Sequence, residues 1–245
     1  MKIIDTTTVK AASAVVELQK PIGSILFGSS LLVNQLTTET INIRVIRPNK
    51  GEPLLIHNED IPLAAYLLAA TLSGNLIAAN PDRSFATECI IPLTIGGNIP
   101  LSDNDVIRIE VKGLSITANY VFEGIQASYN SSHAMTYVKK NAPRDNTNID
   151  FAVQGYDLGV LALTSDITSV DIRYSNGFLS SLTFNEFKSL LNRTFGVIQI
   201  KTDGTSVLTL SNYVQIPLVG ISMLTIKKDT ATSVTNLYLR NNLLN

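Results

Sequence analysis

Along most of this chain, apolar and polar residues alternate. Ile107, Ile109 and Val111 share one side of a two-residue repeat while Arg108 and Glu110 share the other, the pattern of a strand with one dry and one wet face. Ile41, Ile43 and Val45 alternate in the same way with Asn42 and Arg44, and Val170, Ile172 and Tyr174 with Ser169, Asp171 and Arg173. The same criterion predicts strands over residues 14–19, 24–33, 85–93, 115–122, 149–153, 158–163, 197–201, 206–210, 219–227 and 234–239. Turn-forming clusters separate several of them: Pro48-Asn49-Lys50-Gly51, Gly96-Gly97-Asn98, Ser102-Asp103-Asn104-Asp105 and Asp203-Gly204.

Two segments break the alternation and predict helices. Ile61 to Leu72 is apolar on every side, with Asn58 or Asp60 available to cap it, Pro62 in its first turn and Gly74 just past its end. It is well short of the ~20 residues a membrane-spanning helix needs, so it predicts a buried or half-buried helix. In the second segment Thr183 and Glu186 form a capping box. Phe184, Phe187, Leu190, Leu191 and Phe195 then fall on one stripe, Lys188, Asn192 and Arg193 face away, and Gly196 closes the helix.

Each helix follows a strand carrying an arginine, Arg44 in one case and Arg173 in the other, so the chain presents one strand-to-helix pattern twice. A polar stretch broken by Pro143 lies between, with one short strand at Met135–Val138. The implied division is an N-terminal arm and first unit over 1–127, a connector over 128–148, and a second unit with a C-terminal tail over 149–245. Each unit holds about eight candidate strands, the number of a jelly roll. The expected fold is all-β: two jelly-roll sandwiches in tandem, each with one inserted short helix. Met1–Lys10 and Asn241–Asn245 read as arms that order on contact with neighbours.

Composition narrows the function. With 19 basic and 20 acidic residues the net charge is -1, which supplies no field for gathering nucleic acid. Only 16% of residues are charged, and interface cores are depleted in charge, so the surface suits a protein packed against neighbours. Cys89 is the single cysteine and excludes an intrachain disulfide; its apolar surroundings predict a buried thiol. The first residues lack the apolar run of a secretory signal, which points to synthesis in the cytoplasm. Without that route the glycosylation patterns Asn130-Ser131-Ser132 and Asn192-Arg193-Thr194 carry no meaning.

Catalytic and metal chemistry find little to work with. His57 and His133 are the only histidines, too few for a three-histidine zinc site, and both read as solvated loop residues. There is no nucleophile elbow and no phosphate loop. Glu88, Glu110 and Glu123 are the acids a two-carboxylate glycosidase would draw on, but exposed strand faces commonly carry Glu. Asp103 and Asp105 offer oxygens to a calcium ion, although Asp and Asn favour such turns without one. Lys139, Lys140 and Arg144 form a small basic patch with no aromatic row beside it. The chain is read as a non-enzyme with no catalytic, cofactor or metal site.

Val170–Tyr174 followed by Phe184–Phe195, Ile41–Val45 followed by Ile61–Leu72, and the polar connector together resemble the double jelly-roll major capsid proteins of tailless, internal-membrane icosahedral bacteriophages, of the corticovirus and finnlakevirus type. The resemblance covers most of the chain as architecture. It implies a homotrimer whose six rolls give a pseudo-hexagonal outline, with strands perpendicular to the shell. It further implies neighbouring capsomers and other virion proteins such as a penton protein as partners, and the internal membrane at the shell base. No direct sequence-specific nucleic-acid contact is implied; the protein is made in the host cytoplasm and ends in the virion. This chain is shorter than the large members, which argues against long tower loops. The alternative is a phage spike or attachment protein, or a jelly-roll carbohydrate-binding module; the absence of Trp counts against the aromatic platforms such modules use.

Overall fold

The computed structural model describes residues 1–71, 77–131, 133–195, 198–208 and 212–241. The first half contributes β1 (Lys2–Asp5), β2 (Ser13–Leu18), β3 (Ser24–Ser29), β4 (Thr40–Ile46), β5 (Leu54–Leu55), β6 (Ile61–Pro62), α1 (Leu63–Thr71), β7 (Ala78–Asn80), β8 (Phe85–Pro92), β9 (Val106–Lys112) and β10 (Tyr120–Ile125). The second contributes β11 (Thr136–Ala142), β12 (Asn148–Ala152), β13 (Leu158–Ala162), β14 (Ile167–Tyr174), β15 (Leu179–Thr183), α2 (Phe184–Phe195), β16 (Ile198–Ile200), β17 (Ser206–Leu208), β18 (Tyr213–Pro217), β19 (Ile221–Lys228) and β20 (Thr235–Asn241).

The strands pair in the same order in both halves. One sheet of the first half runs β1-β10-β3-β8 and its facing sheet β2-β9-β4 with β5 and β6; the second half runs β11-β20-β13-β18 and β12-β19-β14-β15. Setting aside β7 and the β16–β17 hairpin, and counting the short β5 and β6 as one interrupted strand beside β4, the first, eighth, third and sixth strands of each unit form one sheet and the second, seventh, fourth and fifth form the other. That is the jelly-roll arrangement, repeated. Alternation decides which side chains enter each sandwich: Ile41, Ile43 and Val45 of β4 face Ile107, Ile109 and Val111 of β9 in register, all fully buried. Gly113 ends β9 with φ 71°, and a side chain there would collide with the Thr38 carbonyl.

Several expectations need correction. Residues 1–10 are not a loose arm: β1 pairs with β10, Ile3 and Ile4 are buried, and the Met1 amine donates to the Gly124 carbonyl at 2.9 Å. The polar segment at 128–148 is not only a connector, because β11 within it is the first strand of the second roll and pairs with β20 along its length. The strand expected at 115–122 lies at Tyr120–Ile125, since the Ser115 hydroxyl and carbonyl close a turn on Thr117 and Ala118. Strands β15 and β18 were not anticipated; β15 is an exposed edge, and the apolar pattern of β18 is broken by Gln215. The end of the first helix near Gly74, the stop at Gly196 and the tail beyond Asn241 lie outside the described residues.

Candidate assembly interface

The two helices hold matching places, each between the fifth and sixth strands of its roll, but they differ in what surrounds them. α2 is amphipathic. The Thr183 hydroxyl accepts from the Glu186 amide at 3.3 Å while the Glu186 carboxylate accepts from the Thr183 amide at 2.9 Å, the reciprocal box read from the sequence. Phe187 and Leu191 then enter the second core, whereas Leu190, placed on the same stripe by spacing, is 53% exposed.

α1 is buried on every side. All nine of its residues are buried, because the helix packs on β6 and β8 of its own roll and on β13 and β18 of the other. Leu158, Val160 and Tyr238 therefore join the core of the first roll although they belong to strands of the second. A helix without a polar face is stable only in such a position.

The second roll also donates hydrogen bonds to carbonyls in the last described turn of α1. Gln215 on β18 donates its side-chain amide to the Leu68 carbonyl and to the Thr71 hydroxyl. Arg240 on β20 donates to the Ala69 carbonyl at 2.6 Å, bringing positive charge to the negative end of the helix dipole. Its guanidinium is 4% exposed and is neutralised by Asp157, with Nη2 and Nε at 2.6 and 3.1 Å from Oδ2. Neither the cap nor its counter-ion carries a sequence motif.

Two further ties cross the same boundary. β16 meets β7 in a parallel bridge, and beneath it the buried Gln199 donates to the Ala86 carbonyl and Thr87 hydroxyl and accepts from the Val33 amide. At the other end His57, Tyr66 and Tyr137 pack edge to face, with His57–Tyr66 and Tyr66–Tyr137 ring centroids at 4.5 and 4.8 Å. Asn58 clamps the Lys139 backbone from both sides, donating to its carbonyl and accepting from its amide, rather than capping α1.

His57 is therefore not a solvated loop residue. It is fully buried, its Nδ1 faces the Ile41 carbonyl at 3.2 Å, and burial lowers its pKa to about 4 against the opposing pull of that carbonyl. His133 is exposed, as expected of a loop. Cys89 is buried, and desolvation pushes its thiol up to about 12. Glu88 and Glu123 share Arg83, at 3.1 and 3.0 Å, and Glu110 pairs with Lys112, so these carboxylates sit in ion pairs. Asp105 accepts from the Ser102 amide at 3.0 Å and closes the turn, while Asp103 points to solvent. Lys139 meets Glu59, and Lys140 donates to the Ala152 carbonyl and lies over Tyr156. Among the described residues no three His, Cys, Asp or Glu side chains gather as metal ligands, and no helix is long and apolar enough to cross a membrane.

No family model and no curated protein matches this sequence. Solved structures do. The major capsid protein P2 of bacteriophage PM2 superposes with a TM-score of 0.55 at 12% identity, over 98% of this chain and 94% of that one. A chain from the atomic structure of Sulfolobus turreted icosahedral virus superposes with a TM-score of 0.55 at 11% identity, over 98% and 88%. The fold is a double jelly roll, shared with viral major capsid proteins. At these identities the likeness is one of fold, not of shared side chains. In this double jelly roll the joint is centred on one buried helix that accepts hydrogen bonds from residues more than a hundred positions away.

Proposed function

We propose that this protein is the structural major capsid protein of an icosahedral virus, forming homotrimers that tile the shell and catalysing no reaction. The observation that carries this reading is the duplication itself: two rolls of one strand order, tied into a single unit by α1, in one chain. Three such chains offer six similar rolls, so a threefold object acquires the near-hexagonal outline a closed surface lattice requires. The low charge supports it, since copies of a chain with 16% charged residues repel one another little at close approach.

On this reading the partners are further copies of the chain, other virion proteins such as a penton protein, and the membrane beneath the shell. Its place is the virion after synthesis in the host cytoplasm. Light scattering on the purified protein, with electron microscopy of what it assembles into, tests the reading. A threefold mass and hexagonal capsomers are expected. A protein that stays monomeric at high concentration and binds a glycan saturably would overturn it in favour of an attachment protein or carbohydrate-binding module.

A further inference from the structure

Within one chain the joint is a contact between unlike surfaces: the helix of one roll lies on the outer face of the third and sixth strands of the next. α1 gives the helix, and β13 and β18 give the face, with Val160 and Gln215 paired across it and buried. Each chain also carries one unmatched copy of both surfaces. α2 leans on β14, β15 and β18 of its own roll as α1 leans on β6 and β8, but its far side is open, with Asn185, Ser189 and Leu190 exposed. On the first roll the outer face of β3 and β8 is open too. Leu26 and Ile90, paired across those strands at the positions that Val160 and Gln215 hold in the second roll, floor a groove of about 370 Å³ walled by Ala78–Pro81. Ile90 is 41% exposed.

We propose that α2 of one copy seats in the β3–β8 groove of a second copy, repeating between chains the contact that α1 makes on β13 and β18 within the chain. The proposal rests on the shell reading above and names the surfaces through which copies would meet. Leu190 supplies the apolar contact to Leu26 and Ile90. The charges are complementary: on the groove side Glu88 and Glu123 flank the one guanidinium of Arg83, Asn80 donates to Glu88, and the nearby Lys2 is held by Asp5, whereas α2 brings Lys188, its Glu186 being held in the cap at Thr183. Because the surfaces differ, the contact is head-to-tail, and it closes into a ring when the rotation per roll divides a full turn. A sixth of a turn per roll closes after three chains.

The test is cross-linking by a short bismaleimide in a variant carrying Ile90→Cys and Leu190→Cys together. The native Cys89 thiol is buried and held protonated, so the parent protein serves as the unreactive control. The double variant should yield covalent species up to a trimer, and each single variant none. Leu190→Asp, at an exposed position, should keep the parent far-UV spectrum while weakening trimer formation at least tenfold. A trimer by light scattering that neither cross-links in the double variant nor responds to Leu190→Asp would overturn the groove assignment and leave the trimer standing. A parent protein that is monomeric throughout would overturn both.

Discussion

Arg240→Met removes the donor that caps α1 while keeping a stem of similar length, and it tests how firmly the second roll holds the helix of the first. In the parent, the guanidinium links the Ala69 carbonyl to the Asp157 carboxylate at 4% exposure. Deleting one member of a buried ion pair costs about 3–5 kcal/mol because the other charge is left without compensation. Asp157 retains 14% side-chain exposure, so water recovers part of that loss and the lower end applies. Loss of the charge-assisted hydrogen bond to the Ala69 carbonyl adds about 1 kcal/mol. The expected destabilisation is about 4 kcal/mol, a fall of about 8–16 °C in Tm for a chain of this size. Urea unfolding followed by circular dichroism measures it. Pairing Arg240→Met with Asp157→Leu should restore more than half the loss, since both desolvated charges are then gone, with a coupling of about 2 kcal/mol in the cycle. A single variant within about 1 kcal/mol of the parent, or a coupling near zero, would show that the cap does not hold the joint.

Other expectations follow from burial. Phe187→Ala should cost about 3–5 kcal/mol, whereas Leu190→Ala on the same helix should stay within about 0.5 kcal/mol in the isolated chain, by chemical denaturation of each. His57 has a folded pKa of about 4 against 6.5 when unfolded, so the unfolded chain binds the proton first as pH falls. Stability from this group is intact above pH 6.5, is lost between 6.5 and 4, and is diminished by about 3 kcal/mol below that window. His57→Phe should flatten the profile across it, and an unchanged slope would refute the assignment. Removing residues 1–5 should destabilise the fold by about 3–6 kcal/mol through loss of Ile3 and Ile4 from the core; a truncated protein with the parent Tm would contradict the pairing of β1 with β10.

Alternation along β4, β9 and β14 determined which side of each strand is dry, because a period of two in hydrophobicity maps directly onto the pleat. The Thr183–Glu186 box placed the start of α2 because both partners lie within one turn. The apolar run over Leu63–Thr71 called for a buried or half-buried helix, but full burial, and what provides it, came only from the structure. That answer comes from Val160, Gln215 and Arg240, which lie on the outward face of a sheet where local pattern assigns polar residues to water. Arg240 and the carbonyl it caps are 171 positions apart, and His57 is enclosed by Tyr137 from the other side of the joint. Leu190 shows the converse: helical spacing put it on the apolar stripe, while the helix turns Phe187 and Leu191 into the second core, with Phe184 packed at its margin, and leaves Leu190 exposed. Local periodicity reports the environment a segment is suited to; which distant surface provides it is decided by the docking of one roll on the other, where shape and unsatisfied hydrogen bonds select the partner.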